Sequence, residues 1–137
     1  MKKQFYLKLL TGLFLSLMLL DSGCEKRKST GTGFLKGTIS IGPLCPVERI
    51  PPDPGCLPTA ETYKAYPVSV FNSAGKTKIL QLMPSIDGAF EAELPAGNYT
   101  IVLEKEINIG SSNLPSGISV IADDTTLFNV NIDTGIR

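Results

Sequence analysis

Beyond residue 34, apolar and polar residues alternate along the chain in short runs. Alternation with a period of two places successive side chains on opposite faces of a β-strand, so each run predicts a strand with one buried face. Residues 89–94 give the clearest case, with apolar side chains at every second position from Phe90 and glutamates between them. The predicted strands cover residues 35–41, 66–71, 77–83, 89–94, 98–104, 117–122 and 127–133.

Turn signals separate these runs at intervals of roughly ten residues. Asp87-Gly88 is one such signal, because Asp bonds its own local backbone and Gly accepts the positive φ of many turns. Pro95 and Gly97 suit a tight turn, which predicts a β-hairpin over residues 89–104. No stretch after residue 24 has helical spacing of apolar residues over ten positions. The pattern therefore predicts an all-β protein, a seven-stranded antiparallel β-sandwich of prealbumin-like or immunoglobulin-like type.

One stretch, residues 42–56, interrupts the alternation between the first two strands. It holds two of the three cysteines and five of the ten prolines, so it predicts a stiff loop. We interpret the loop first as a structural lid. Residues 47–53 are the stretch most expected to form an exposed contact surface. The candidate contact residues are Val47, Glu48, Arg49 and Ile50 in the loop, with Tyr63 just beyond it.

The first 23 residues have the pattern of a secretory signal peptide. Lys2, Lys3 and Lys8 precede an apolar run at residues 9–20, and small residues follow the run. The alternative is an N-terminal transmembrane anchor, which the short apolar run disfavours because a spanning helix needs about 20 apolar residues.

Residues 22–24 (S-G-C) resemble the lipobox of bacterial lipoproteins, with Asp21 standing where that pattern has an apolar residue. The resemblance implies that Cys24 carries lipid and begins the mature chain. If so, Cys45 and Cys56 remain as a disulfide pair in an oxidising compartment. Residues 24–33 are then expected to form a flexible tether, and residues 34–137 the folded domain.

Composition argues against several functions. The chain has no His, which removes the commonest general base and neutral metal ligand. Its formal net charge is +0, and it has no basic stripe of the kind that nucleic acids require. Glu91 and Glu93 fall on the outer face of one strand, which does not suit acid–base catalysis. We therefore expect no catalytic residues, no cofactor and no nucleic-acid partner.

A calcium site is the metal alternative, since several aspartates fall in predicted turns or near the end of the chain. Calcium takes six to eight oxygen ligands, usually from a loop with carboxylates at alternate positions. Asp87, Asp123, Asp124 and Asp133 lack that spacing. We expect them to be solvated turn residues and expect no metal site.

Two sets of motifs resemble known families. Residues 87–90 (D-G-A-F) and 94–100 (L-P-A-G-N-Y-T) resemble the hairpin of carboxypeptidase-regulatory-like domains, which are transthyretin-like seven-stranded sandwiches. The start, residues 37–48 (G-T-I-S-I-G-P-L-C-P-V-E), and the end, residues 132–137 (I-D-T-G-I-R), look like a group of small exported bacterial proteins of undefined function. The resemblance implies the fold, and a non-catalytic accessory role.

The sequence thus predicts a monomeric, non-enzymatic lipoprotein, held to a bacterial membrane through Cys24 on its periplasmic or cell-surface side. It would act as an accessory or protein-interaction module in the cell envelope, with an envelope protein or a glycan as partner. Two alternatives remain open. One is a carrier that binds a small ligand or carbohydrate, and the other is a hydrolase.

Overall fold

The computed structural model describes residues 31–47, 49–107 and 110–137. They form two stacked β-sheets with one short helix, which confirms the predicted β-sandwich. The strands are β1 (Thr32–Gly42), β2 (Val68–Asn72), β3 (Lys78–Gln81), β4 (Ala89–Pro95), β5 (Gly97–Leu103), β6 (Ser111–Ser112), β7 (Ser116–Val120), β8 (Thr125–Leu127) and β9 (Val130–Asp133).

Sheet I has the order β4-β1-β9-β6, with β8 also paired to β1, and sheet II has the order β3-β2-β5-β7. The inward positions of the alternating runs meet between the sheets. Ile101, Val70 and Leu35 have no solvent exposure, and Phe90 is buried beside them. The alternation in the sequence therefore predicted the buried face of β1, β2, β4, β5 and β9, whereas β3, whose apolar residues suggested burial on both faces, is mostly exposed.

β1 is the longest strand, and its pairing departs from the all-antiparallel prediction. It runs antiparallel to β4 but parallel to both β8 and β9. β1 meets the end of the chain at Gly37, where an added Cβ would lie 1.8 Å from the carbonyl oxygen of Phe128. Only glycine fits so close an approach of two backbones.

The predicted last strand is divided into β8 and β9 at Phe128 and Asn129. The side chain of Asn129 takes the place of a backbone partner at this break. Its Oδ1 atom accepts hydrogen bonds from the amide and the hydroxyl group of Thr38, at 3.0 and 3.1 Å. At the break between β8 and β9, the side chain of Asn129 thus replaces a backbone hydrogen-bond partner for β1.

The predicted hairpin over residues 89–104 is wrong. β4 pairs with β1 in sheet I, whereas β5 pairs with β2 and β7 in sheet II. A single residue, Ala96, connects the two strands, so the chain turns a corner from one sheet to the other. The hydroxyl group of Tyr99 donates to the carbonyl oxygen of Pro95 across this corner, at 2.6 Å. The arrangement is the tyrosine corner found in β-sandwiches.

The two ends of the sandwich differ. One end, the short-turn pole, holds the start of β1, the corner at Ala96 and the turns at residues 73–77 and 121–124. The other end, the long-loop pole, holds the end of β1, residues 43–67, residues 82–88 and the C-terminal tail. The long connections at residues 43–67 and 82–88 therefore both lie at the long-loop pole, opposite to the start of β1 at Thr32.

A six-residue helix, α1 (Ala60–Ala65), lies between the 43–57 segment and β2. Thr59 and Thr62 form a reciprocal capping box, in which each hydroxyl group accepts from the backbone amide of the other residue, at 3.3 and 3.0 Å. The helix directs Tyr63 into the core. β1 begins at Thr32, inside the stretch predicted to be tether. The signal peptide, Cys24 and residues 25–30 of the tether lie outside the described residues.

Candidate functional site: the stapled loop

The stapled loop, residues 43–57, continues directly from β1 at the long-loop pole. A disulfide joins Cys45 to Cys56 with a Cα–Cα distance of 5.5 Å, which confirms the predicted pairing. Near its C-terminal end, the loop contains a single 3₁₀ turn, Pro54–Cys56. Asp53 caps this turn, because its side chain accepts a hydrogen bond from the amide of Gly55 at 2.9 Å. Among the described residues of the loop, the backbone hydrogen bonds between residues 46 and 57 are all local.

The C-terminal tail, residues 134–137, holds the start of the stapled loop in place at Gly42 and Pro43. The backbone amide of Thr134 donates to the carbonyl oxygen of Gly42 at 3.0 Å, and its hydroxyl group donates to that of Pro43. Asp133 pairs with Gly42 across the parallel ladder and receives a two-pronged contact from Arg137, at 2.7 and 3.2 Å. The start and end motifs, far apart in sequence, are therefore one structural unit.

The contact between Asp133 and Arg137 also shifts the pKa values of both side chains. The Arg137 guanidinium holds the pKa of Asp133 below its ordinary value, and the amide of Gly135 adds to the effect. Asp133 in turn raises the pKa of Arg137. Both groups therefore stay ionised, and their role here is to fix the tail.

The loop encloses a groove of about 470 Å³ beside the disulfide. Ile50 is fully exposed and Val47 is 65% exposed. No carboxylate among the described residues lies within salt-bridge distance of Arg49. The groove is lined by Leu44, Val47, Arg49, Ile50, Pro52 and Asp53, together with the disulfide.

The structure brings three of the five predicted contact residues together, namely Val47, Arg49 and Ile50. Glu48 lies outside the described residues. Tyr63 does not belong to an exposed surface, because the residue is only 8% exposed and its side chain packs in the core. Burial raises the pKa of Tyr63, and the nearby carboxylate of Asp87 raises it further.

Pro52 and Asp53 also line the groove, and both fall inside the stretch 47–53 that was predicted to form the exposed contact surface. Leu44 was missed, because it lies between Pro43 and Cys45, which were assigned to the structure of the loop. Asp53 had a usable signal, since Asp-Pro-Gly is a turn sequence whose first side chain caps the following residues.

The carboxylates considered for catalysis or metal binding are dispersed. Glu91 is exposed on the outer face of sheet I and pairs with Lys36 at 3.0 Å. Asp123 and Asp124 lie at the short-turn pole, far along β1 from Asp133. Within the described part of the chain, no three metal-ligating side chains gather in one place.

Comparisons with known proteins bear on the fold. No family model and no curated protein matches the chain. The minor pilin GBS52 of Streptococcus agalactiae has a similar structure, with 12% identity, a TM-score of 0.52, and coverage of 76% of this chain and 45% of the pilin. A DUF3823 family protein from Parabacteroides merdae gives 15% identity, a TM-score of 0.45, and coverage of 75% and 46%.

The chain thus spans less than half the length of either solved protein. At such low identity the likeness to the pilin supports a β-sandwich fold, and the carboxypeptidase-regulatory-like assignment remains a prediction. In the part of the chain that the structure describes, no helix is long and apolar enough to cross a membrane.

Proposed function

We propose that this protein is a lipid-anchored, non-catalytic β-sandwich that serves as an accessory or protein-interaction module in a bacterial cell envelope. Cys24 carries the lipid, residues 25–31 connect it to the domain, and the stapled loop faces away from the membrane. The protein is exported, and its partner is another protein of the envelope.

One observation carries this proposal: β1 connects the tethered end directly to the stapled loop. β1 has 11 residues, and at about 3.3 Å per residue it separates the two ends by roughly 33 Å. A tether attached at Thr32 leaves the short-turn pole beside the membrane. The long-loop pole then points outward, where a partner can reach it.

The two poles are also built for different tasks. Tight turns at the short-turn pole leave little surface that could adapt to a ligand. Long connections on a rigid scaffold are where β-sandwich domains place their recognition surfaces. The stapled loop adds exposed apolar side chains, such as Ile50, to that pole.

The chemistry of the groove favours binding over catalysis. Its two cysteines are joined in the disulfide, so neither is available as a thiolate nucleophile. Asp53 is occupied in capping the 3₁₀ turn, and the chain has no His to act as a base. Arg49 is left as a charged binding group without a catalytic partner.

The anchor is tested by mass spectrometry of the full chain purified from the envelope. We expect a diacylated or triacylated N-terminal cysteine derived from Cys24, and loss of membrane association in Cys24→Ser. An intact, unmodified N-terminus would refute the anchor.

The interaction role is tested by site-specific photo-crosslinking in cells. A photoreactive amino acid is placed at Ile50 in the loop and, as the matched control, at Ala74 in the turn between β2 and β3. We expect a discrete cross-linked envelope protein from position 50 and none from position 74. Equal products from both positions, or no product from position 50, would refute the role.

A further inference from the structure

We infer that the groove of the stapled loop binds an extended peptide segment in which an apolar side chain stands next to a carboxylate. This inference rests on the proposed interaction function and names the chemistry of the partner. The occupant is a segment of another protein rather than a sugar or this chain's own tether.

The apolar part of the inference follows from the groove walls. Leu44, Val47, Ile50 and Pro52 face one opening of about 470 Å³, which has room for one or two side chains of a peptide. Ile50 is fully exposed although it is among the most hydrophobic residue types. An apolar side chain placed in the groove would remove this surface from water.

The carboxylate part follows from the charges at the groove. Arg49 has no ion-pair partner among the described residues, and it presents a planar group that binds carboxylates through two parallel hydrogen bonds. Asp53, the groove's acidic lining residue, already accepts from the amide of Gly55. Among the described residues that line the groove, Arg49 is the side chain that carries a positive charge and N–H donors, so it is the group that binds an anion.

The chain's own tether cannot fill the groove. Residues 24–31 reach about 25 Å when fully extended, whereas the groove lies beyond the far end of β1, roughly 33 Å from Thr32. A glycan is also a poor fit, because sugar-binding surfaces stack sugars on aromatic rings and the groove lining contains none. Tyr63, the nearest candidate ring in the sequence, is in the core.

The test measures binding of defined peptides to the full chain in detergent micelles. Fluorescein-labelled, end-capped pentapeptides contain leucine or isoleucine next to aspartate, and a matched set contains asparagine instead. Fluorescence anisotropy at low salt is expected to give tighter binding of the aspartate set by about fivefold, a difference that shrinks as salt screens the charge. A panel of neutral oligosaccharides is tested in parallel by competition.

Three variants locate the site. Arg49→Gln should abolish the preference for aspartate, and Ile50→Ser should weaken both peptide sets. Lys76→Gln, which removes an exposed cation from the β2–β3 turn at the opposite pole, should change neither. Thermal melting of each variant checks that the domain remains folded.

Several outcomes would overturn the inference: equal binding of the two peptide sets, a preference for aspartate that survives in Arg49→Gln, absence of peptide binding, or displacement by an oligosaccharide. If position 50 still cross-links to an envelope protein, the interaction role stands and only the peptide chemistry fails. If cross-linking also fails, both proposals fall together.

Discussion

The hydroxyl group of Tyr99 donates a 2.6 Å hydrogen bond to the carbonyl oxygen of Pro95, and this bond spans the corner between the two sheets. Pro95 ends β4 in sheet I, and Tyr99 belongs to β5 in sheet II. Ala96, the connecting residue, donates its amide to the carbonyl oxygen of Gly31 at 2.7 Å. One hydrogen bond thus joins the two strands of the corner, and a second joins the corner to the residue that precedes β1.

Removing this bond should destabilise the domain. Tyr99→Phe keeps the ring but leaves the carbonyl of Pro95 without its partner, which should lower the free energy of unfolding by about 1–2 kcal/mol. Urea denaturation measures the change. Tyr66→Phe is the matched control, because the hydroxyl group of Tyr66 makes no hydrogen bond within the described residues. Equal stability of Tyr99→Phe and wild type would contradict the role of the corner.

The corner also shows what the sequence could and could not predict. Period-two alternation identified β4 and β5 and the buried side of each, because burial acts on every second residue of a strand. It could not identify the partner of either strand. Pro95 and Gly97 suit both a hairpin and a corner between sheets, and only the packing of β1 against β4 decides between them.

The disulfide should contribute to stability. In the double variant Cys45→Ser/Cys56→Ser, the loop loses its covalent closure, and the free energy of unfolding should fall by up to about 3 kcal/mol in the chain-entropy model. Proline stiffness in the loop makes a smaller loss the expected result. Urea denaturation under non-reducing conditions measures it, and Ala74→Ser, at an exposed position in the β2–β3 turn, serves as the control. An unchanged midpoint would show that the loop is held by its packing alone.

The C-terminal tail should determine how firmly the loop is held. Thr134→Val removes the hydroxyl group that donates to Pro43, which should cost about 1 kcal/mol. It should also speed cleavage by trypsin after Arg49, seen on reducing gels because the disulfide holds the cut ends together. Thr125→Val makes the same change at an exposed position. If both variants are cleaved at the wild-type rate, the tail does not support the loop.

Acid should remove the contribution of Glu104. Its carboxylate is bound by Lys78 at 2.6 Å and by the buried hydroxyl group of Ser69, and these hydrogen bonds hold its pKa below the ordinary value of 4.5. The stabilisation is therefore fully present above pH 4.5 and is lost as the pH falls through the folded-state pKa.

The pH dependence can be measured by urea denaturation of Glu104→Gln and wild type between pH 7 and pH 3. The difference in unfolding free energy should be largest near neutral pH and should shrink in acid. Glu93→Gln, at an exposed position on β4, is the control. A difference that does not vary with pH would rule out the linkage.

The candidate site was predicted in part. Proline and cysteine content located the loop and the disulfide, and Val47, Arg49 and Ile50 lie exposed beside that disulfide, while their role in contact stays a prediction. Tyr63 was misplaced because α1 has only six residues, too few to reveal a helical period. The role of Thr134 could not be predicted, since its partners Gly42 and Pro43 precede it by about 90 residues and only the parallel pairing of β1 with β9 brings them together.

That parallel pairing fixes the order in which the domain can be completed during synthesis. Ile39 and Ile41 of β1 pair with Val130 and Ile132 of β9, which follow them by about 90 residues. Sheet I therefore cannot close until residues 130–133 have been synthesised. Such long-range pairing raises the contact order of the domain and slows its folding.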